Sequence, residues 1–133
     1  MAAAANITVK MNDTTTDIVW TLINPGGADG TEALWRSETV AGPMSVRPTF
    51  VMSARNNAAK TARRMLATVL FPQIYTESTT GLVKVANRGI LQVNGLIPLG
   101  MDATQLNEFI SQSMNIFATS AVKTAFKTAS VPN

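Results

Sequence analysis

Hydrophobic and polar residues alternate along most of the first 97 positions, which is the pattern of a β-sheet. Alternation at 7–11 and again at 18–22 surrounds a polar cluster at 12–16, so the sequence predicts an amino-terminal β-hairpin. A glycine-rich loop at 24–30 comes before a short strand at 31–40, and a turn at 41–43 follows. Residues 82–97 alternate once more. We therefore expect five or six antiparallel strands over residues 6–97.

The most regular part of this pattern is a central hairpin, 46–72, which consists of two strands joined by a turn at 56–61. In the first strand, Val46, Pro48, Phe50 and Met52 alternate with mostly polar residues, and the second strand repeats the pattern up to Phe71. One face of the hairpin is therefore apolar and the other is mostly polar. Pro48 lacks an amide donor, so we expect it at a strand end or a sheet edge. A polar loop is predicted at 73–82.

The final third of the chain changes to a helical period. Asp102 can cap a helix, with Gln105 three residues later, and Leu106, Phe109 and Phe117 belong to an apolar stripe along about four turns. A second helix is predicted at 120–129. Strands first and helices last indicate a single α+β domain over 1–133, with a sheet at 6–97 and helices at 103–129. Two short helices cover one sheet face, which leaves the polar face open to a partner.

Composition favours an assembly and disfavours an enzyme. Only 14% of the residues are charged while 46% are hydrophobic, as in subunits that bury surface against other subunits. The sequence has no Cys and no His, which excludes thiolate and imidazole chemistry. The carboxylate pairs Asp13 with Asp17 and Glu32 with Glu38 leave acid-base catalysis as a minor alternative. We expect no cofactor, metal or small-molecule substrate. Neither a secretory signal nor a membrane-spanning run is evident.

Charge is concentrated on the central hairpin. Five of the eleven basic residues fall between Glu38 and Glu77, and none of the eight acidic residues does. A basic sheet face indicates a polyanion as the partner. The alternative is a solvated hairpin whose arginines only protect an exposed strand from aggregation. The residues predicted to lie open on the polar face are Arg47, Thr49, Ser53, Arg55, Arg64, Thr68, Arg88, Gln92 and Asn94.

The order of these elements resembles the coat proteins of the single-stranded RNA bacteriophages of the levivirus type. The similarity extends from the amino-terminal hairpin, through the glycine-rich loop, the strand with Trp35 and the central hairpin, to the polar loop and the two-helix tail. The resemblance implies an interlocked homodimer, in which the sheets pair edge to edge and each subunit's helices cross the partner's sheet. It further implies that dimers form an icosahedral shell, commonly T=3, around the RNA genome. The location implied is the virion, assembled in the cytoplasm of a bacterial host.

The resemblance also implies an RNA-hairpin site on the inner face of the central strands, with a role in translational repression. Ile90 stands where that family has a stacking Tyr, and the missing ring forfeits about 1 to 3 kcal/mol of base stacking. Phosphate contacts from arginines would still support general packaging. The alternative function is a non-viral dimeric nucleic-acid-binding module that forms no shell. The positions that match the site are Thr49, Val51, Ser53, Arg55, Arg64, Leu66, Thr68 and Gln92.

Overall fold

A computed structural model describes residues 4–39 and 42–132, and within these ranges the chain forms six β-strands followed by two α-helices. The chain divides into two compact units, Met1–Ile97 and Pro98–Asn133. The α+β class and the antiparallel sheet predicted from the sequence are confirmed. The bounds are β1 Ile7–Lys10, β2 Asp17–Asn24, β3 Glu32–Ser37, β4 Thr49–Asn56, β5 Ala62–Thr76, β6 Val83–Pro98, α1 Ala103–Ala118 and α2 Ser120–Thr128.

The strands form one sheet in sequence order, so that each strand is hydrogen-bonded to the next one in the chain. The predicted amino-terminal hairpin is present as β1 and β2, with Ile7 opposite Trp20 and Lys10 opposite Asp17. Asp13 fixes the turn between them, because its carboxylate accepts hydrogen bonds from the backbone amides of Thr15 (3.0 Å) and Thr16 (2.9 Å). Short connections of this kind make every neighbouring pair antiparallel.

Two proline-containing segments differ from the sequence prediction. β4 begins at Thr49 and not at 46, because Met44–Val46 forms a short 3₁₀ helix and Arg47 is held extended before Pro48. β5 does not end at Pro72 but continues to Thr76, so the loop is confined to 77–82. Pairing of β4 with β5 stops at Leu70, so Pro72 lies beyond the end of β4 and needs no amide on that side.

The predicted strand at 31–40 is shorter in the structure, at Glu32–Ser37. Val40 and Ala41, which the sequence analysis placed at the end of that strand and in the next turn, lie outside the described residues.

A small core lies on the apolar face of the sheet. Trp35 is buried there, its ring centroid is 5.3 Å from that of Phe50, and its indole N–H donates to the carbonyl of Ala5 at 2.8 Å. Val46 of the 3₁₀ segment is also buried. Large apolar side chains on the same face, including Leu91, remain exposed.

The helical unit begins at the predicted cap. The Asp102 carboxylate accepts a hydrogen bond from the amide of Gln105 (3.4 Å), and α1 follows. Thr119 is extended and separates α1 from α2, and Ala129 closes α2 in the left-handed conformation. No residue of these two helices is buried within the described chain, and Phe126 is among their exposed apolar residues. Among the described residues, no helix has the length and apolar character needed to cross a membrane.

Candidate nucleic-acid interface

The registers of the strands define a polar face of the sheet. On β4 and β5 the opposed pairs are Thr49 with Leu70, Val51 with Thr68, Ser53 with Leu66, and Arg55 with Arg64. Residues directly opposite each other in a sheet project from the same face. The predicted positions on these two strands therefore share one face, which also carries Glu32, Leu34 and Arg36 of β3.

The even-numbered residues of β6 complete this polar face. Asn94 lines a cavity with Arg64 and Leu66, while Gly95 approaches the Cβ position of Met65 on the opposite, apolar face. Alternation along β6 then assigns Arg88, Ile90 and Gln92 to the polar face. Ile90 is 65% exposed there, so this face carries an exposed aliphatic side chain between Arg88 and Gln92.

Arg47, a predicted site residue, lies before β4 and belongs to a separate ion cluster. The Glu38 carboxylate pairs with Arg36 (2.5 Å) and with Arg47, whose guanidinium also donates to the carbonyl of Gly42 at 3.3 Å. The hydrogen bond from Arg36, together with the charges of both arginines, lowers the pKa of Glu38. The Arg47 side chain is only 22% exposed, and it shares the single Glu38 carboxylate with Arg36. Its role in RNA binding remains a prediction.

Acidic residues from outside the basic segment neutralise part of it. Arg63 pairs with Asp29 at 3.2 Å, and its neighbour Arg64 points to the polar face. By contrast, Arg55, Arg64 and Arg88 form no ion pair with any residue in the described ranges. Arg55 and Arg64 are directly opposite each other, and like charges so placed repel. A bound anion would relieve that repulsion.

A cavity of about 490 Å³ opens at this end of the polar face. It gathers five of the eleven predicted site residues. The six that lie outside it are Arg47, Thr49, Val51, Thr68, Arg88 and Gln92. The remaining lining residues were not among the predicted site residues. No local signal identifies Glu32, because its position opposite Ser53 depends on the register of β3 against β4 across the connection at 38–48. The lining residues are Glu32, Ser53, Arg55, Asn56, Asn57, Ala58, Arg64, Leu66 and Asn94.

Three of the four carboxylates considered for acid-base catalysis have other partners, and the fourth, Glu32, lines the cavity. Asp13 is bonded within its own turn, and hydrogen bonds from Thr16 and Thr15 lower its pKa to about 2. Asp17 pairs with Lys10 at 2.6 Å, and Glu38 pairs with two arginines. Because the pKa values of Asp13 and Glu38 are lowered, these two carboxylates stay ionised and do not serve as general acids at neutral pH. Among the described residues, no group of His, Cys, Asp or Glu has the arrangement of a metal site.

Comparison with known proteins gives matches in structure alone. No protein-family model and no curated protein matches the sequence. A chain from the virus-like particle of Beihai levi-like virus 21 matches with a TM-score of 0.82 and 15% identity over 99% of both chains. The capsid protein of bacteriophage GA matches with a TM-score of 0.76 and 17% identity over 95% of each chain. The coat protein of bacteriophage EMS014 matches with a TM-score of 0.74 and 17% identity over 99% of this chain and 100% of that one.

These matches cover at least 95% of the chain and therefore include the strands and both helices. The chain has the fold of the coat proteins of the levi-like, single-stranded RNA bacteriophages.

Proposed function

We propose that this protein is a capsid protein, and not an enzyme, that forms interlocked homodimers and assembles into an icosahedral, T=3 shell around a single-stranded RNA genome. The observation that carries the proposal is the structural match over 99% of this chain and of a chain that forms virus-like particles. Its location is then the virion, assembled in the cytoplasm of the bacterial host. Three features of the chain support the proposal.

The first feature is the free edge of the sheet. β6 is 16 residues long, and among the described residues only β5 pairs with it. A long, exposed edge strand promotes association with other chains, so native proteins usually cover or pair it. A second copy related by a two-fold axis would pair its own β6 antiparallel to this one and continue the sheet.

The second feature is uncovered apolar surface in both units. Phe109 and Phe117 of α1 and Phe126 of α2 are exposed, as are Phe71 and Leu91 on the apolar face of the sheet. An amphipathic helix gains most of its stability by burying its apolar stripe. In the dimer we propose, each subunit's helices cover the partner's apolar face.

Two glycines on β6 support the same arrangement. A Cβ atom at Gly89 would lie 3.6 Å from the carbonyl oxygen of Phe71, and one at Gly95 would lie 3.7 Å from Cβ of Met65. Both distances are ordinary contacts, and neither glycine has a left-handed backbone. The chain itself therefore does not require glycine at these positions. Glycine in a strand often marks the close approach of another backbone, here the partner's helix.

The third feature is the polar face with its unpaired arginines, which we propose as the RNA-facing surface of the shell. Arg55, Arg64 and Arg88 would contact phosphates, and Thr49, Val51, Ser53, Leu66, Thr68, Gln92 and Asn94 would contact sugars and bases. Exposed Ile90 offers no aromatic platform, so we propose weak operator binding and weak translational repression beside general packaging.

Electron microscopy of the protein purified from bacteria, with absorbance at 260 and 280 nm on the same fraction, tests this proposal. We expect uniform spherical particles that contain nucleic acid. Nuclease should degrade this nucleic acid once the particles have been disassembled. Dimers that bind RNA without forming particles would instead establish the binding-module function. A monomer that neither binds RNA nor assembles would contradict both.

A further inference from the structure

Three charged side chains line the cavity on the polar face without neutralising one another. Glu32 lies opposite Ser53, and Arg55 lies two residues further along β4, opposite Arg64. None of the three forms an ion pair with another described residue. A carboxylate and two guanidinium groups that share one cavity but stay apart leave room for a ligand between them.

The dimensions of the cavity suit a single nucleotide. Glu32 on β3 and Asn94 on β6 are separated by three strand spacings of about 4.8 Å, which places them about 14 Å apart. Leu66 lies between them and is 37% exposed, so it forms an apolar floor. The volume, about 490 Å³, is in the range of small-ligand sites, which is roughly 300 to 1,000 Å³.

The charges require a ligand with two kinds of polar group. Phosphate alone would bind the arginines but would be repelled by Glu32. An ionised carboxylate only accepts hydrogen bonds, so it requires N–H or O–H donors on the ligand. Guanine presents two adjacent donors, N1–H and the exocyclic amine, on its Watson–Crick edge, and that edge is accessible in single-stranded RNA. The other three bases present fewer donors there.

We infer that the cavity binds a guanine nucleotide of single-stranded RNA. The Glu32 carboxylate accepts from the guanine N1–H and amine, the base lies on Leu66, and Arg55 and Arg64 bind the adjoining phosphate. The inference rests on the proposed RNA-binding role of the polar face and adds a base preference to it.

The test measures binding of the full-length protein to labelled uridine octamers that carry G, A, C or U at one central position. We expect the wild-type protein to bind the G octamer more tightly than the other three. Loss of a bidentate base contact typically costs about 5- to 150-fold in discrimination, so Glu32→Gln should abolish most of the preference. Because Glu32→Gln also removes a negative charge, binding of the all-U octamer should stay constant or become tighter.

Glu38→Gln is the matched control, because it removes the same charge from the Arg36 and Arg47 cluster outside the cavity. This variant should retain the guanine preference. Equal binding of all four octamers by the wild type, or uniform tightening by Glu32→Gln, would overturn the inference while leaving the RNA-binding function intact. Failure of every octamer to bind would overturn the RNA-facing assignment itself.

Discussion

The RNA-binding role of the polar face can be tested by removing single arginines. Arg63 and Arg64 are neighbours on β5 but project from opposite faces, and only Arg63 is paired with an acidic residue. Arg64→Ala should therefore weaken RNA binding, whereas Arg63→Ala should leave it unchanged. Both changes remove one positive charge from the same part of the chain, so a non-specific charge effect would affect them equally.

The magnitude follows from counterion release. For single-stranded RNA the logarithm of the binding constant falls with the logarithm of the salt concentration, with a slope of about −0.7 for each phosphate contact. If Arg55, Arg64 and Arg88 each contact one phosphate, a fourfold rise in salt weakens binding about 18-fold in the wild type. With one contact removed in Arg64→Ala, the same rise should weaken binding only about 7-fold.

Fluorescence anisotropy with a short labelled RNA, measured between about 50 and 200 mM salt, determines both slopes. Arg63→Ala loses a surface ion pair worth about 0 to 1 kcal/mol, so circular dichroism must first show that this variant is folded. Identical slopes for the wild type and Arg64→Ala would refute the assignment of the polar face. If Arg63→Ala reduces the salt dependence of RNA binding as much as Arg64→Ala does, the contribution of an arginine does not depend on which face of the sheet carries it.

Three further predictions address assembly, the helix cap and a carboxylate. Gly95→Val should keep the fold, because a Cβ there meets only Cβ of Met65 at 3.7 Å. It should prevent dimer formation, which size-exclusion chromatography would detect. Normal dimers would refute the proposed contact between Gly95 and the partner's helix. Asp102→Ala should lower the free energy of unfolding by about 0.5 to 2 kcal/mol in a urea titration, whereas Asp102→Asn should cost less. The Asp13 carboxyl should titrate near pH 2 by NMR, and a midpoint near 3.8 would contradict its hydrogen bonds. Because that pKa is lowered in the folded state, its contribution to stability is complete above pH 3.8 and is lost as the pH falls towards 2.

The order of the elements was predictable because its signals are local. Alternation at 7–11 and 18–22 identified the first hairpin, and Asp102 with Gln105 identified the start of α1. The two prolines show where local signals fail. Pro48 precedes β4, whereas Pro72 lies within β5. Whether a strand can contain a proline depends on whether a neighbouring strand requires a backbone amide at that position. That neighbour is decided by the tertiary structure.

The functional face was predictable only in part, for the same reason. The sequence by itself determined which residues alternate on one side of each strand, so Ser53, Arg55, Arg64 and Leu66 could be assigned to one surface. Only the tertiary structure decided which arginines remain unpaired and that Glu32 joins their cavity. The alternation of side chains is a property of each strand alone, whereas charges and cavities depend on the register between strands that lie far apart in the sequence.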